Sequence, residues 1–538
     1  MKKLYFGGPI LTMDRKNPRA EAVLTEDGRI LSVGKYEELY CPDAEHCDLR
    51  GRTLMPGFVD GHSHLLSVGT NLTQQCDLTG CTGFGDMLER IRRYRTERNL
   101  THGEPITARG YDLAMLAEGQ HPTAAVLDTL RFDNPIKCVH QSGHMCVCNT
   151  VAMQKAGVSA ATYVCPEGGY AGRDENGQLN GYFEEAANGT CNAAFRSATP
   201  EQDMETSILA AQEYYIRQGF TTIQDGSGHP IARLSIYDRL AKEGKLKVDI
   251  VTYMSASAAG MEKHAQLRRE YGKSYHNHLK LGGIKFFLDG SPQARTAWLT
   301  KPYEGETEYR GYPTLTDEEV EERLTRALEN GLQPMAHCNG DAAIDQYINI
   351  WEKVSCGGTL GRDLRPVVVH AQTVRDDQLE KMAKLGMMAS FFVGHCYYWG
   401  DTHLENLGDR AVRISPVQVA KAKKVPYNFH QDSPVTKPDM LHTVWCAVNR
   451  ITRNGVTLGE GNKLDCYEAL MAVTNGGAYG YFEEDTKGVL KPDAVADFVV
   501  LEADPTAVEP MAIKDIRILA TIKEDAVLYT AERTSPCK

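Results

Sequence analysis

Two histidines one residue apart, His62 and His64, close an apolar run that reads Met55-Pro-Gly-Phe-Val-Asp-Gly-His62-Ser-His64. In a strand, alternate side chains face the same side, so positions i and i+2 offer two imidazoles to one metal ion. Imidazole suits zinc, copper, iron and nickel, and two histidines leave room for further ligands and an exchangeable water. An H-x-H pair alone is a weak signal. Its weight comes from matching donors at the ends of later apolar runs: Lys285, His337, His370 and Asp432. Hydrolytic metal chemistry needs fixed neutral or anionic donors and a water whose pKa the metal lowers. The four histidines supply neutral donors, and Asp432 can hold a metal weakly while accepting a proton from bound water. Lys285 is the odd member, because an ammonium repels cations. Beside a metal it must be neutral or altered, and reaction with CO2 to a carbamate would make it an anion able to bridge two metals. A substrate or backbone contact is the plainer reading of a lysine at a strand end.

Donors so far apart in sequence can share an ion only if the fold gathers several strand ends at one place. The chain offers eight candidate core strands, at 57–62, 221–225, 248–254, 282–287, 332–337, 366–370, 387–392 and 427–432. Helical stretches separate them, the alternation of βα units on a parallel sheet. Barrels built this way carry their chemistry at the C-terminal strand ends, several strands giving one side chain each. The expected fold is therefore α/β: a (β/α)8 TIM barrel over residues 56–484. Roughly 150 residues separate the first two strands, too many for one helix, so an insertion at about 70–215 is expected to cover the barrel mouth. Strand-and-turn patterns at 1–55 and 485–538 predict a small β-sandwich domain formed by both chain termini.

Composition narrows the function classes. The chain of 538 residues has 59 basic and 71 acidic side chains, a net charge of −12, and no basic stripe; no nucleic-acid partner is expected. The Met-Lys-Lys start leads into no apolar segment of signal-peptide length, and no run nears the ~18 apolar residues of a membrane span. A soluble, cytoplasmic protein with no membrane partner is expected. Fifteen cysteines, an odd number scattered over a long chain, fit free thiols in a reducing cytosol better than a disulfide framework. The run His144-Met-Cys146-Val-Cys148 would suit a soft metal, but no second cluster accompanies it. A homodimer is the expectation that general frequency supports.

Motifs spread over nearly the whole chain resemble the amidohydrolase superfamily. The stretches are Met55 to His64, Gly283-Ile-Lys285-Phe-Phe-Leu-Asp289-Gly-Ser291 with Arg295-Thr-Ala297, and His337-Cys-Asn-Gly-Asp341-Ala-Ala-Ile-Asp345. Val369-His370-Ala-Gln372, Asp432-Ser-Pro434, Gly488 and Ala496-Asp497-Phe-Val-Val follow, with Gly143-His144, Asn149, Gly168-Gly169, Asn176-Gly177 and Gly181 in the insertion. The likeness is to the branch that holds N-substituted formamide deformylases and the uncharacterised metal-dependent hydrolases around them. The resemblance implies two divalent ions, usually Zn2+. His62 and His64 would hold the more buried ion and His337 and His370 the more exposed one, with carbamylated Lys285 between them. Asp432 would hold the buried ion and shuttle the proton. The implied activity is hydrolysis of a C–N amide bond in a small molecule, of the N-acyl or N-formyl amine type, by metal-activated water. Cys338 and Asn339 depart mildly from the branch's small and apolar residues, an effect expected on packing.

Other residues carry less. His144, Asp289 and Arg295 are candidate substrate contacts, although Asp289 and Arg295 could pair with each other instead. His395 and His430 read as supporting or structural, and Tyr397-Tyr398-Trp399 as a pocket wall or as packing. Gly226-Ser227-Gly228 is a turn, since no P-loop lysine follows. Two rivals share the site. A cyclic amidase or deaminase is one, weakened because no His-x-x-Glu follows the fifth strand, where His337-Cys-Asn-Gly stands. A non-catalytic metal-binding homologue is the other, and it would have no need of Asp432 or Lys285.

Overall fold

Continuous apolar runs such as Val367-Val-Val and Met388-Ala-Ser-Phe391 suit strands buried on both faces, as parallel sheets require. In the computed structural model they form one eight-stranded parallel sheet, described with the rest of the chain over residues 1–143, 145–166, 169–196, 200–229, 231–271, 274–358 and 362–531. Its strands are β1 (Phe58–Val59), β2 (Phe220–His229), β3 (Asp249–Ser255), β4 (Leu279–Phe287), β5 (Gln333–Cys338), β6 (Val367–His370), β7 (Met388–Phe391) and β8 (Tyr427–Phe429). They pair in chain order from β1 to β8. Helices fill the connections: Ile231–Lys242, Ala258–Tyr271, Asp317–Asn330, Asp341–Val354 and Asp376–Lys384 follow β2 to β6 in turn. Asp317–Asn330 shows how the sequence sets them. Thr316 and Glu319 form a capping box, Gly331 ends the helix at φ +63°, and Val320, Leu324 and Ala327 bury one stripe.

The sheet is curled. Beyond β1, a Cβ on Gly61 would lie 2.6 Å from the Phe429 carbonyl oxygen of β8, so only glycine fits there. The His64 amide donates to the Ser433 carbonyl at 2.8 Å. Apolar side chains of Val59, Val251, Tyr253, Met335, Val367, Val369 and Met388 cluster between the strands.

Both termini share one further sheet. Lys2–Leu11, Arg19–Glu26, Arg29–Gly34, Glu45–Asp48 and Thr53–Pro56 join Phe498–Leu501, Ile518–Lys523 and Ala526–Thr530. Residues from both ends, among them Tyr5, Leu54, Phe498 and Ile522, share its core. Leu66–Ala211 forms a second compact unit. It holds a six-stranded mixed sheet, with Ile106–Tyr111 and Ile136–His140 parallel and Met145–Cys148 antiparallel to its neighbours. Its core gathers Leu78, Met87, Ile91, Ile106 and Val147.

Among the described residues thirteen cysteines are free thiols, Cys146 and Cys148 included, whereas Cys47 is disulfide-bonded. No helix among them is long and apolar enough to cross a membrane.

Candidate metal centre

The C-terminal ends of the parallel strands bring the six predicted donors into contact. Lys285 projects from β4, His337 from β5 and His370 from the last position of β6. His62 Nε2 lies 2.9 Å from Lys285 Nζ and 3.5 Å from Asp432 Oδ1. His64 Nε2 is 3.0 Å from the same Asp432 oxygen, and His370 Nε2 is 3.0 Å from His337 Nδ1. Donor atoms of His62, His370 and Asp432 all lie within 4.8 Å of one another. The route to this geometry differs from the one the H-x-H spacing suggests. β1 stops at Val59, so His62 lies in a bend and His64 in an isolated bridge to Asp225. Their rings meet edge to face at 5.0 Å instead of side by side on a strand. His370 and Asp432 adopt φ of +74° and +54°, left-handed conformations that cost on the order of 1–3 kcal/mol each and that concentrate at functional sites.

Burial decides the protonation states. His62 and His370 are held well below the usual imidazole range by desolvation, then by nearby charges, that of Lys285 first for His62 and that of His337 first for His370. The same burial, with Lys285, brings His337 to about 4. Lys285 falls to about 8 because its ammonium is desolvated, although Asp432 pulls the other way. For Asp432 burial acts upward, but His64, His430 and Lys285 outweigh it and hold the carboxyl below its ordinary value. Near neutral pH His62, His337 and His370 are therefore neutral imidazoles and Asp432 is a carboxylate, the states a metal ion binds.

The outward nitrogens of three candidate ligands are already engaged. His62 Nδ1 donates to Gln224 Oε1 at 2.6 Å, and His337 Nε2 donates to the Gly290 carbonyl at 3.0 Å. His370 Nδ1 meets His430 Nε2 at 3.1 Å, and His430 Nδ1 meets Ser390 Oγ at 2.8 Å. Such contacts fix ring orientation and leave the inward nitrogens to the metal. Asp432 Oδ1 is the test of fit. It is buried and no hydrogen bond is aligned on it, although two imidazole nitrogens stand within 3.5 Å. A buried carboxylate oxygen without a donor is costly, and a divalent cation would satisfy it. The donor set fits such an ion.

The amidohydrolase family's sequence pattern matches residues 45–529, nearly the whole chain. The chain belongs to the amidohydrolase family. YtcJ of Bacillus subtilis (strain 168), an amidohydrolase by name, is 27% identical over 98% of this chain and 99% of its own length. The N-substituted formamide deformylase of Arthrobacter pascens is 25% identical over 98% of this chain and 97% of its own. An uncharacterised metal-dependent hydrolase from Pyrococcus horikoshii OT3 superposes with a TM-score of 0.77 at 26% identity, covering 95% of this chain and 99% of that one.

The remaining candidates of this amidohydrolase stand outside the donor set, although Asp289 Oδ1 approaches His337 Nε2 to 3.7 Å. His144 lies outside the described residues. Asp289 and Arg295 do not pair with each other. The Asp289 side chain is fully enclosed and accepts the amides of Trp298 (3.1 Å), Asn339 (2.9 Å) and Gly340 (2.6 Å). It anchors the loop after β4 to the one after β5, which accounts for its carboxyl better than a substrate does. Arg295 pairs with Glu306 at 3.0 Å and covers the Tyr303 ring. Asn339 Nδ2 donates to the Gly290 carbonyl, so it supports His337's partner. Sequence reasoning misses Gln224 and Ser390, and it takes Gly226 for a turn residue. A Cβ on Gly226 would lie 2.6 Å from the His62 ring, so this glycine is demanded by the site and not by a turn. The one local hint for Gln224 is an uncharged polar residue inside an otherwise buried strand.

Proposed function

We propose that the protein is a metal-dependent hydrolase that cleaves the C–N amide bond of a small N-formyl or N-acyl amine. The observation that carries this reading is Asp432 Oδ1, buried, without an aligned hydrogen bond among the described residues and shared between His62 and His64 beside Lys285 and the His337–His370 pair. The reading places two divalent ions, zinc by preference, with His62, His64 and Asp432 around one and His337 and His370 around the other. Lys285, carbamylated, would lie between. It also takes the curled sheet as a closed (β/α)8 barrel and the terminal strands as a β-sandwich. Bound divalent ions would lower the pKa of water and polarise a carbonyl oxygen. Asp432 is the proton carrier: ionised at neutral pH, it takes a proton from the attacking water and delivers it to the leaving nitrogen. Gln224, Gly290 and His430 hold the imidazoles so that no ring turns during turnover. The name of the Arthrobacter pascens relative supports N-formyl amines as the first substrates to try.

The test is a metal count on purified protein, then a screen of N-formyl and N-acyl amines that reads free amine. Asp432→Asn is expected to keep metal and lose at least about 100-fold in kcat, within the range for a lost acid–base group. Full activity in that variant would refute the proton-carrier role, and release of ammonia instead of acid plus amine would replace amide cleavage with deamination.

A further inference from the structure

Past β7 the chain coils into the short helix His395–Tyr398. The His395 ring is held on three sides. Phe392 lies 4.7 Å away at 74°, Trp399 4.6 Å away at 57°, and His403 is coplanar within 2° at 5.3 Å between ring centres. Among the described residues its side-chain hydrogen bond joins Nδ1 and His403 Nε2, at 3.1 Å. His403 is 0% exposed and its own Nδ1 has no hydrogen-bond partner.

These facts fix the protons. A buried N–H without an acceptor is rarer than a bare acceptor, so His403 keeps Nδ1 unprotonated and donates from Nε2 to His395 Nδ1. A neutral imidazole carries one proton, which for His395 must then sit on Nε2. That nitrogen has no partner among the described residues and is not sealed from solvent. His395 thus carries an uncommitted N–H on a ring packed on three sides. Burial favours the neutral form of both rings, bringing His403 to about 3 and His395 well below the usual range.

The place of this donor matters. Phe392 touches His395 on one side and the metal-centre histidines on the other, 5.3 Å from His430 and 6.4 Å from His370. One ring therefore separates His395 from the candidate ligands. We propose, resting on the amide-hydrolase reading, that His395 is a catalytic residue that donates a hydrogen bond from Nε2 to the substrate carbonyl oxygen as negative charge builds there. His403 is a positioning residue that sets the His395 tautomer. No proton is transferred; the N–H stays on His395 throughout, as a preorganised oxyanion donor does.

The experiment compares wild type with His395→Phe, His395→Gln, His403→Leu and His403→Gln, each loaded with zinc. Free-amine release and bound metal are measured, and histidine-selective 15N NMR reads the tautomers. His395→Phe is expected to lose about 100-fold in kcat, the usual effect of removing one oxyanion donor, with KM and metal content held. His395→Gln, which restores an N–H, should recover about tenfold of that loss. His403→Leu should fall with His395→Phe and disturb the His395 tautomer, and His403→Gln should rescue both. Retention of kcat within about threefold in His395→Phe, or loss of its metal, would overturn the proposal. An Nδ1-protonated His395 in an active wild type would sink it alone, whereas a metal-loaded wild type that cleaves no amide would sink the underlying hydrolase reading and this role together.

Discussion

Replacing Gln224 by leucine should weaken metal binding while leaving the sheet folded. Gln224 is fully buried. Its Oε1 accepts from His62 Nδ1 at 2.6 Å, and its Nε2 donates to the Gly61 carbonyl at 3.1 Å and to Tyr481 Oη at 2.9 Å. Leucine has similar bulk, so the change falls on polarity. The His62 Nδ1–H would be left buried without an acceptor, at a cost of about 1–3 kcal/mol. The ring could escape by moving its proton to Nε2, but that atom faces Lys285 and Asp432, and a protonated nitrogen cannot ligate. Both routes tax the metal-bound state, and losses of this kind run to about 10–100-fold in affinity, or about 1.4–2.7 kcal/mol. Competition against a chromophoric chelator measures the affinity, and thermal unfolding of the metal-free protein checks the fold. Gln224→Glu is the counter-variant, since a carboxylate still accepts from Nδ1 and should preserve or raise affinity. Unchanged metal affinity in the leucine variant would refute the view that Gln224 sets the His62 tautomer.

Two further outcomes test the packing around the site. His264 is buried with neither ring nitrogen bonded, and burial, then the charge of Arg268, lowers its pKa to about 4. Because the folded value lies below the unfolded one, stability is lost as pH falls from about 6.5 towards 4 while the unfolded chain takes up the proton. His264→Leu should therefore stabilise the protein at pH 8, and by roughly 1.4 kcal/mol more at pH 5.5; calorimetric scans in which the gap does not widen on acidification would contradict this. Asp289→Ala strands three backbone amides and should cost about 3 kcal/mol or more, so an unmoved urea midpoint would show that the loops do not depend on it.

The candidate ligands are legible because each strand that carries one is locally unambiguous. Val367-Val-Val-His370 and Met335-Ala-His337 each leave a single polar side chain at the end of a buried run, and eight apolar runs in order dictate a parallel sheet. His62 and His64 are found for a reason that is only half right. The pair does share a site, but through a bend after Val59 forced by the close approach of Gly61 to β8, a contact between positions far apart in the chain. The same limit hides Gln224 and Gly226, whose roles exist only once His62 lies against them. Asp289 shows the opposite error. A carboxylate beside a candidate site looks available in sequence, and nothing local records that three amides from other loops close over it.

Charge balance decides how many ions the centre can hold. Counting the imidazoles in the neutral form that ligates a metal, the site's own charges are Asp432 and whatever Lys285 carries, so a protonated Lys285 leaves the cluster near zero before any cation enters. One divalent ion is then tolerable, while a second would pile up positive charge in a desolvated space unless Lys285 changed sign. Condensation of its neutral amine with CO2 releases a proton and replaces a cation with an anion, a swing of two charges. Burial makes that amine available: with a pKa of about 8, about a tenth of Lys285 is neutral at pH 7, against roughly 0.04% for an ordinary lysine near 10.4. Reconstitution in CO2-stripped buffer should therefore load one equivalent of zinc tightly and the second weakly. Added bicarbonate should restore the second, and Lys285→Met should make the stoichiometry indifferent to bicarbonate. Two tight equivalents without CO2 would mean that the second ion is balanced by some other group and that Lys285 has no part in bridging.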